Sequence, residues 1–236
     1  MTNITEKIDK YLTQNTLNEG VYDPGIFKAV FLAGGPGSGK SFVSSKVTGG
    51  MGLKVVNSDT LFEILGKQKG IDLKTMPDSE KEARDKVRSI AKELTNKQHK
   101  NYINGRLGLV IDGTGRKVKK IKDQQEKLKL LGYDTYMVFV NTSLDVALER
   151  NIKRKRSVPE KIVRKAWQDV QNNMGGFQTI FKSSNFSIVD NNVYSTDKNL
   201  FIDAWKEVKK FVKRPIENHI AKQWINIEME KKKDKK

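Results

Sequence analysis

Gly34-Gly35-Pro36-Gly37-Ser38-Gly39-Lys40-Ser41 fills every fixed position of a Walker A phosphate loop. An apolar run, Phe27-Lys28-Ala29-Val30-Phe31-Leu32-Ala33, precedes it and reads as a buried strand; Ser41 to Val47 follows and can form a helix. Strand, glycine-rich turn and helix in that order separate a working phosphate loop from a chance match. Backbone N–H groups of such a turn point inward, and the helix N-terminus adds its positive end. Gly35, Pro36, Gly37, Ser38 and Gly39 therefore shape the cradle. Lys40 is expected to reach the β- and γ-phosphates, and the Ser41 hydroxyl to ligate Mg²⁺. The ligand so implied is ATP with Mg²⁺.

The rest of the chain is read outward from this loop. Strand patterns recur at Leu53 to Asn57, Leu107 to Ile111, Tyr133 to Val140 and Phe186 to Val189. Helical patterns lie between them at Thr60 to Leu65, Asp78 to Asn104, Lys117 to Leu131, Leu144 to Ile152, Pro159 to Met174 and Leu200 to Val212. Ser58 or Asp59 is expected to cap the second helix, Lys67 to Met76 to form a loop, and Gly175-Gly176 to end a helix. This alternation predicts an α/β fold, a three-layer P-loop NTPase architecture with a mostly parallel sheet, helices on both faces and a helical lid. Ligand then binds at the C-terminal rim of the strands. The expected division is an N-terminal helical arm over 1–26, with an apolar stripe at Ile4, Ile8, Tyr11 and Leu12, then a nucleotide-binding domain over 27–213 with a lid near 150–160, and a basic tail over 214–236.

Composition narrows the chemistry. The 236 residues suffice for a full core without staples. There is no cysteine and there are two histidines, which excludes disulfides and thiolate chemistry and argues against a histidine metal site. No apolar run approaches ~20 residues, and the N-terminal sequence lacks a signal-peptide core. A cytoplasmic location, with no membrane contact, is the expectation. The net charge of +17 suits a nucleic-acid partner, but frequent Lys and Asn also suit an AT-rich coding sequence, and both readings stand.

Three further positions carry chemistry. Asp59 follows the second strand and would share a rim with the phosphate loop. A carboxylate there can take the proton of an acceptor hydroxyl, or it can cap the next helix; local sequence does not choose between them. Asp112, in Val110-Ile111-Asp112-Gly113-Thr114, has the Walker B form and is expected to hold Mg²⁺. Thr114 is positioned to line an acceptor site. From Arg150 to Lys165 there are eight basic residues and one acid, and Pro159 restarts a helix after the turn. Arg150, Arg154 and Arg156 are the candidates for a lid arginine that neutralises a transferring phosphoryl group. A second basic run, Arg116 to Lys129, reads as a solvated helix face, and Trp167 with Phe177 and Phe181 as core packing.

Together, the loop Gly34 to Ser41, Asp59, the Ile111-Asp112-Gly113-Thr114 element and Arg150-Asn151…Arg154…Val158-Pro159 resemble the P-loop kinases that include zeta toxins and polynucleotide 5′-hydroxyl kinases. The set also looks like phage-encoded zeta-toxin-like proteins, which points to a viral origin. The resemblance spans about Phe27 to Asp190. It implies transfer of the ATP γ-phosphate to a hydroxyl of a nucleotide sugar, a nucleoside-like molecule or a polynucleotide. Asp59 would be the acceptor-side base and the lid arginines would sit on the phosphates. Those families place an arginine three residues after the acceptor-side acid; here that position is Phe62. The change suggests a less anionic acceptor, unless Arg116 or Lys117 replaces the charge. The competing class is a nucleotide-binding NTPase or interaction module that transfers nothing.

Overall fold

A computed structural model describes residues 20–73, 77–153, 158–192 and 199–233. Five strands form one parallel sheet: β1 (Lys28–Ala33), β2 (Lys54–Val56), β3 (Leu109–Asp112), β4 (Asp134–Asn141) and β5 (Phe186–Asp190), in the order β2-β3-β1-β4-β5. β1 is central, with Phe31 in register with Ile111 on one side and Met137 on the other. The chain runs from β1 out to β2 and back to β3 on one side, then crosses to β4 and β5 on the other, so a crevice opens at the C-terminal end of β1, where the phosphate loop lies.

Period-two alternation sorts the strand residues into two cores. Ala29, Phe31, Ile111, Met137 and Phe139 face one way, against α4 (Val118–Leu130), α6 (Glu160–Asn172) and α7 (Met174–Phe181). Val30, Leu32, Val110, Val138 and Val140 face the other way, against α1 (Lys40–Val47) and α8 (Asn199–Lys213). Both faces are thus sealed, which is why these strands read as nearly continuous apolar runs. A third cluster joins α2 (Ser58–Gln68) to α3 (Lys81–Asn104) through Phe62, Leu65, Val87 and Ala91. α5 (Leu144–Ile152) follows β4, and α9 (His219–Lys233) lays Trp224 edge-on to Phe27, with ring centroids 5.4 Å apart.

The structure changes several expected boundaries. α2 begins at Ser58 and runs to Gln68, because Asn57, rather than Ser58 or Asp59, is its cap: the Asn57 side chain accepts the Asp59 N–H at 2.7 Å. The loop expected from Lys67 therefore starts later. Asp78–Glu80 is a 3₁₀ turn ahead of α3. Gly175 and Gly176 do not stop a helix; they lie within α7. A Cβ at Gly176 would meet the Val118 side chain at 3.3 Å, so glycine there serves close packing between α7 and α4. The N-terminal stripe at Ile4 to Leu12 lies outside the described residues.

Candidate active site

The phosphate loop leaves β1 and turns into α1 at Gly39, which has φ 78 and ψ 21. Gly37 shares this left-handed φ, and a Cβ there would overlap the Ala147 carbonyl of α5. The loop is thus wedged beneath α5 in a shape that only glycine adopts without strain. Its underside is fastened by side chains: the Ser38 carbonyl accepts from Asn191 Nδ2 at 2.7 Å and Thr142 Oγ1 at 3.3 Å. Trp167 Nε1 in turn donates to the Thr142 carbonyl at 2.6 Å, and the Trp167 backbone packs against Gly35. The Ser38 N–H turns back to the Gly35 carbonyl. As at every helix start, the first N–H groups of α1 have no intrahelical acceptor, which is the setting in which helix N-termini bind anions. Lys40 Nζ arches back toward the Gly35 carbonyl at 3.5 Å.

Asp112 ends β3 beside this loop. Asn57 Nδ2 donates to its Oδ2 at 2.7 Å, so one asparagine both caps α2 and orients the acid. Burial pushes the Asp112 carboxyl above its ordinary range, and the Asp59 charge adds to this, while Lys40 and the Asn57 hydrogen bond pull it down. A buried carboxylate raised in this way is well served by a cation. The donor set fits Mg²⁺–ATP: a hydroxyl at Ser41, a desolvated carboxylate at Asp112, an ammonium at Lys40 and a glycine cradle. Among the described residues, no group of three or more His, Cys, Asp or Glu could hold a metal by itself. A metal here would draw on Ser41, Asp112 and the nucleotide.

Asp59 lies one position inside α2. Its side chain is not the cap; it pairs with Arg88 Nη1 of α3 at 2.5 Å. The Arg88 guanidinium in turn sits 4.6 Å over the Phe62 ring. Lys40, Ser41, Asp59, Glu63, Asp72, Arg88, Asp112, Thr114 and Val158 all line one cavity of about 880 Å³. Sequence reasoning missed Asn57, Arg88, Thr142 and Asn191. Asn57 carried a signal, an asparagine immediately before a helix, whereas the other three come together only through space.

The remaining candidates lie as follows. Arg150 donates from Nη1 to the Asn191 carbonyl at 2.6 Å, and that atom is 3.8 Å from where a Cβ on Gly39 would lie. It therefore flanks the phosphate loop and does not line the 880 Å³ cavity. Arg154 and Arg156 lie outside the described residues. The described residues on either side of them are joined: the Asn151 side chain donates to the Val158 carbonyl and accepts the Val158 N–H, at 2.7 and 3.0 Å. Arg116 pairs with Asp169 at 3.0 Å in a neighbouring cavity that Lys117 also lines, so the guanidinium next to position 62 is that of Arg88.

A family described as AAA domain (AAA_33) matches residues 30–176. No curated protein matches the chain. Among solved structures, the fold is similar to a putative kinase from Chloroflexus aurantiacus, with a TM-score of 0.52 and 14% identity over 80% of this chain and 97% of that one. It is also similar to the PezAT toxin-antitoxin structure from Streptococcus pneumoniae, with a TM-score of 0.54 and 14% identity over 89% and 94% of the two chains. A complex of AvrRxo1-ORF1 and ORF2 with ATP gives a TM-score of 0.52 and 15% identity over 78% of this chain and 62% of that one. At these identities the likeness is one of fold.

Proposed function

This chain belongs to the AAA_33 family of AAA domains, and from that premise we propose that it is an ATP-dependent phosphotransferase acting on a hydroxyl of a small molecule. The observation that carries the reading is the single cavity lined by both the donor groups, Lys40 and Ser41, and a carboxylate on the facing helix, Asp59. Phosphoryl transfer asks little covalent chemistry of a protein; it needs alignment and charge stabilisation. Backbone N–H groups at the start of α1 and the Lys40 ammonium hold the donor phosphates. Ser41 and Asp112 would hold Mg²⁺, which would supply charge neutralisation to the phosphates. The acceptor oxygen forms a bond to the γ-phosphorus, the bond to the bridging oxygen breaks, ADP leaves, and the hydroxyl proton passes to Asp59. Arg150, beside Gly39, would serve the phosphate side.

The lining favours a small acceptor over a polynucleotide. Asp59, Glu63, Asp72 and Asp112 stand against Lys40 and Arg88 among the described lining residues. That balance among the described residues suits a small acceptor better than a phosphodiester chain, even in a protein of net charge +17. A polynucleotide substrate would show binding that weakens steeply with salt, and a small acceptor would not.

The test is Asp59→Asn with labelled ATP and a deproteinised metabolite pool. Nucleotide affinity is expected to persist while transfer falls by about 10²- to 10⁴-fold, the range for general-base catalysis. Undiminished transfer would remove Asp59 from the reaction. Turnover that ignores the metabolite pool would favour an NTPase.

A further inference from the structure

We infer that Arg88 is the positioning residue of the acceptor side, a guanidinium delivered from α3 that sets the Asp59 carboxylate and is itself set by the Phe62 ring. The inference rests on the phosphotransferase reading for its functional meaning, while its geometry stands apart from that reading.

Phe62 lies three residues after Asp59, so the two side chains emerge on the same face of α2. Phe62 is 5% exposed and packs with Leu65, Val87 and Ala91. Val87 immediately precedes Arg88. The apolar cluster that registers α3 against α2 therefore also fixes where the Arg88 side chain departs. The guanidinium lies over the aromatic ring at 4.6 Å and directs Nη1 to Asp59 Oδ1 at 2.5 Å. A planar cation can do both at once, because stacking uses its face and pairing uses its edge; a lysine ammonium cannot. Only Oδ1 of Asp59 is engaged, and among the described residues no hydrogen bond to Oδ2 occurs. The carboxylate is thereby held through one oxygen, at a residue that lines the same cavity as Lys40 and Ser41.

Two consequences distinguish this arrangement from an anion-binding arginine. Arg88 and Asp59 should act as one unit, so removing both should cost no more than removing one. The guanidinium should also carry the mark of the ring beneath it.

The first measurement uses nuclear magnetic resonance on ¹⁵N-labelled protein without any ligand. One arginine Nε–H resonance should vanish in Arg88→Met and move in both Phe62→Leu and Asp59→Asn. If that resonance is unmoved by both of the latter variants, the inference is overturned. The second uses labelled ATP with the metabolite pool, comparing Arg88→Met, Asp59→Asn and the double variant. Arg88→Met should lower kcat by about 10²-fold, the scale of a misplaced catalytic group, with ATP affinity and thermal midpoint unchanged. The double variant should match Asp59→Asn, and Arg88→Lys should recover only part of the loss. Full activity in Arg88→Met, or multiplied losses in the double variant, would overturn the role assigned to Arg88. If Asp59→Asn leaves transfer intact, the phosphotransferase reading fails, while the resonance experiment still decides the geometry.

Discussion

Asp134→Ala should be among the most damaging single changes in this protein, although it lies at the opposite end of the sheet from the cavity. Asp134 opens β4 in register with Lys28 at the start of β1, and the two form an ion pair at 2.9 Å with side chains 8% and 1% exposed. The same carboxylate accepts the N–H groups of Glu217 and Asn218 at 3.0 and 3.2 Å, fastening the segment that leads into α9. Removing one partner of a buried pair costs about 3–5 kcal/mol. Losing the two N–H acceptors adds about 1 kcal/mol, by analogy with a lost helix cap. The total of roughly 4–6 kcal/mol compares with a whole-domain stability of about 5–15 kcal/mol. At about 2–4 °C per kcal/mol for a domain of this size, the midpoint should fall by roughly 10–20 °C. Thermal and urea melts would measure it. Burial already holds the Lys28 ammonium below its ordinary pKa, even with Asp134 raising it. The unfolded chain therefore keeps that proton to higher pH than the folded one, and the deficit of Asp134→Ala should shrink as pH rises through the lowered value. Lys28→Met with Asp134→Asn removes both charges and should melt above Asp134→Ala. A fall of under about 3 °C in Asp134→Ala, or a double variant less stable than the single, would refute this account of the pair.

Asp112→Asn should melt higher than the wild type at neutral pH in EDTA while losing Mg²⁺-dependent nucleotide binding. The folded pKa is raised, so the carboxylate's cost is absent at low pH and builds up as pH rises from the ordinary carboxylate range to the raised value; the gain in the variant should grow in the same direction. Asn191→Ala removes the 2.7 Å hydrogen bond to the Ser38 carbonyl, and should cost about 1–3 kcal/mol and weaken ATP affinity in a filter-binding assay.

What could be read from the sequence was whatever is written as spacing along the chain. The phosphate loop is contiguous, and Asp59 and Asp112 each follow an apolar strand, so strand order alone placed them on one rim. Phe62 is legible only as a missing arginine; the guanidinium that lies over it, Arg88, comes from the next helix. That pairing depends on how α2 packs on α3, which no local pattern encodes. Gly176 was read as a stop because glycine ends helices, but here α7 continues past it and packs close to Val118. Ser58 or Asp59 is the expected cap because both residue types cap helices, yet Asn57 stands one position closer to the strand and takes the role.

The wedge of Gly37 beneath the Ala147 carbonyl has a consequence for how this protein can vary. Every amino-acid-changing single-base substitution of a glycine codon introduces a side chain, and at this position the first carbon of any side chain collides with backbone. Backbone cannot rotate aside as a flexible side chain can, and the left-handed φ adds its own penalty. A saturation library should therefore show position 37 intolerant of every replacement, alanine included. Gly50, with a similar φ but no atom within 4 Å of its Cβ site, should accept asparagine. The contrast between two glycines of like torsion would separate the cost of the clash from the cost of the turn.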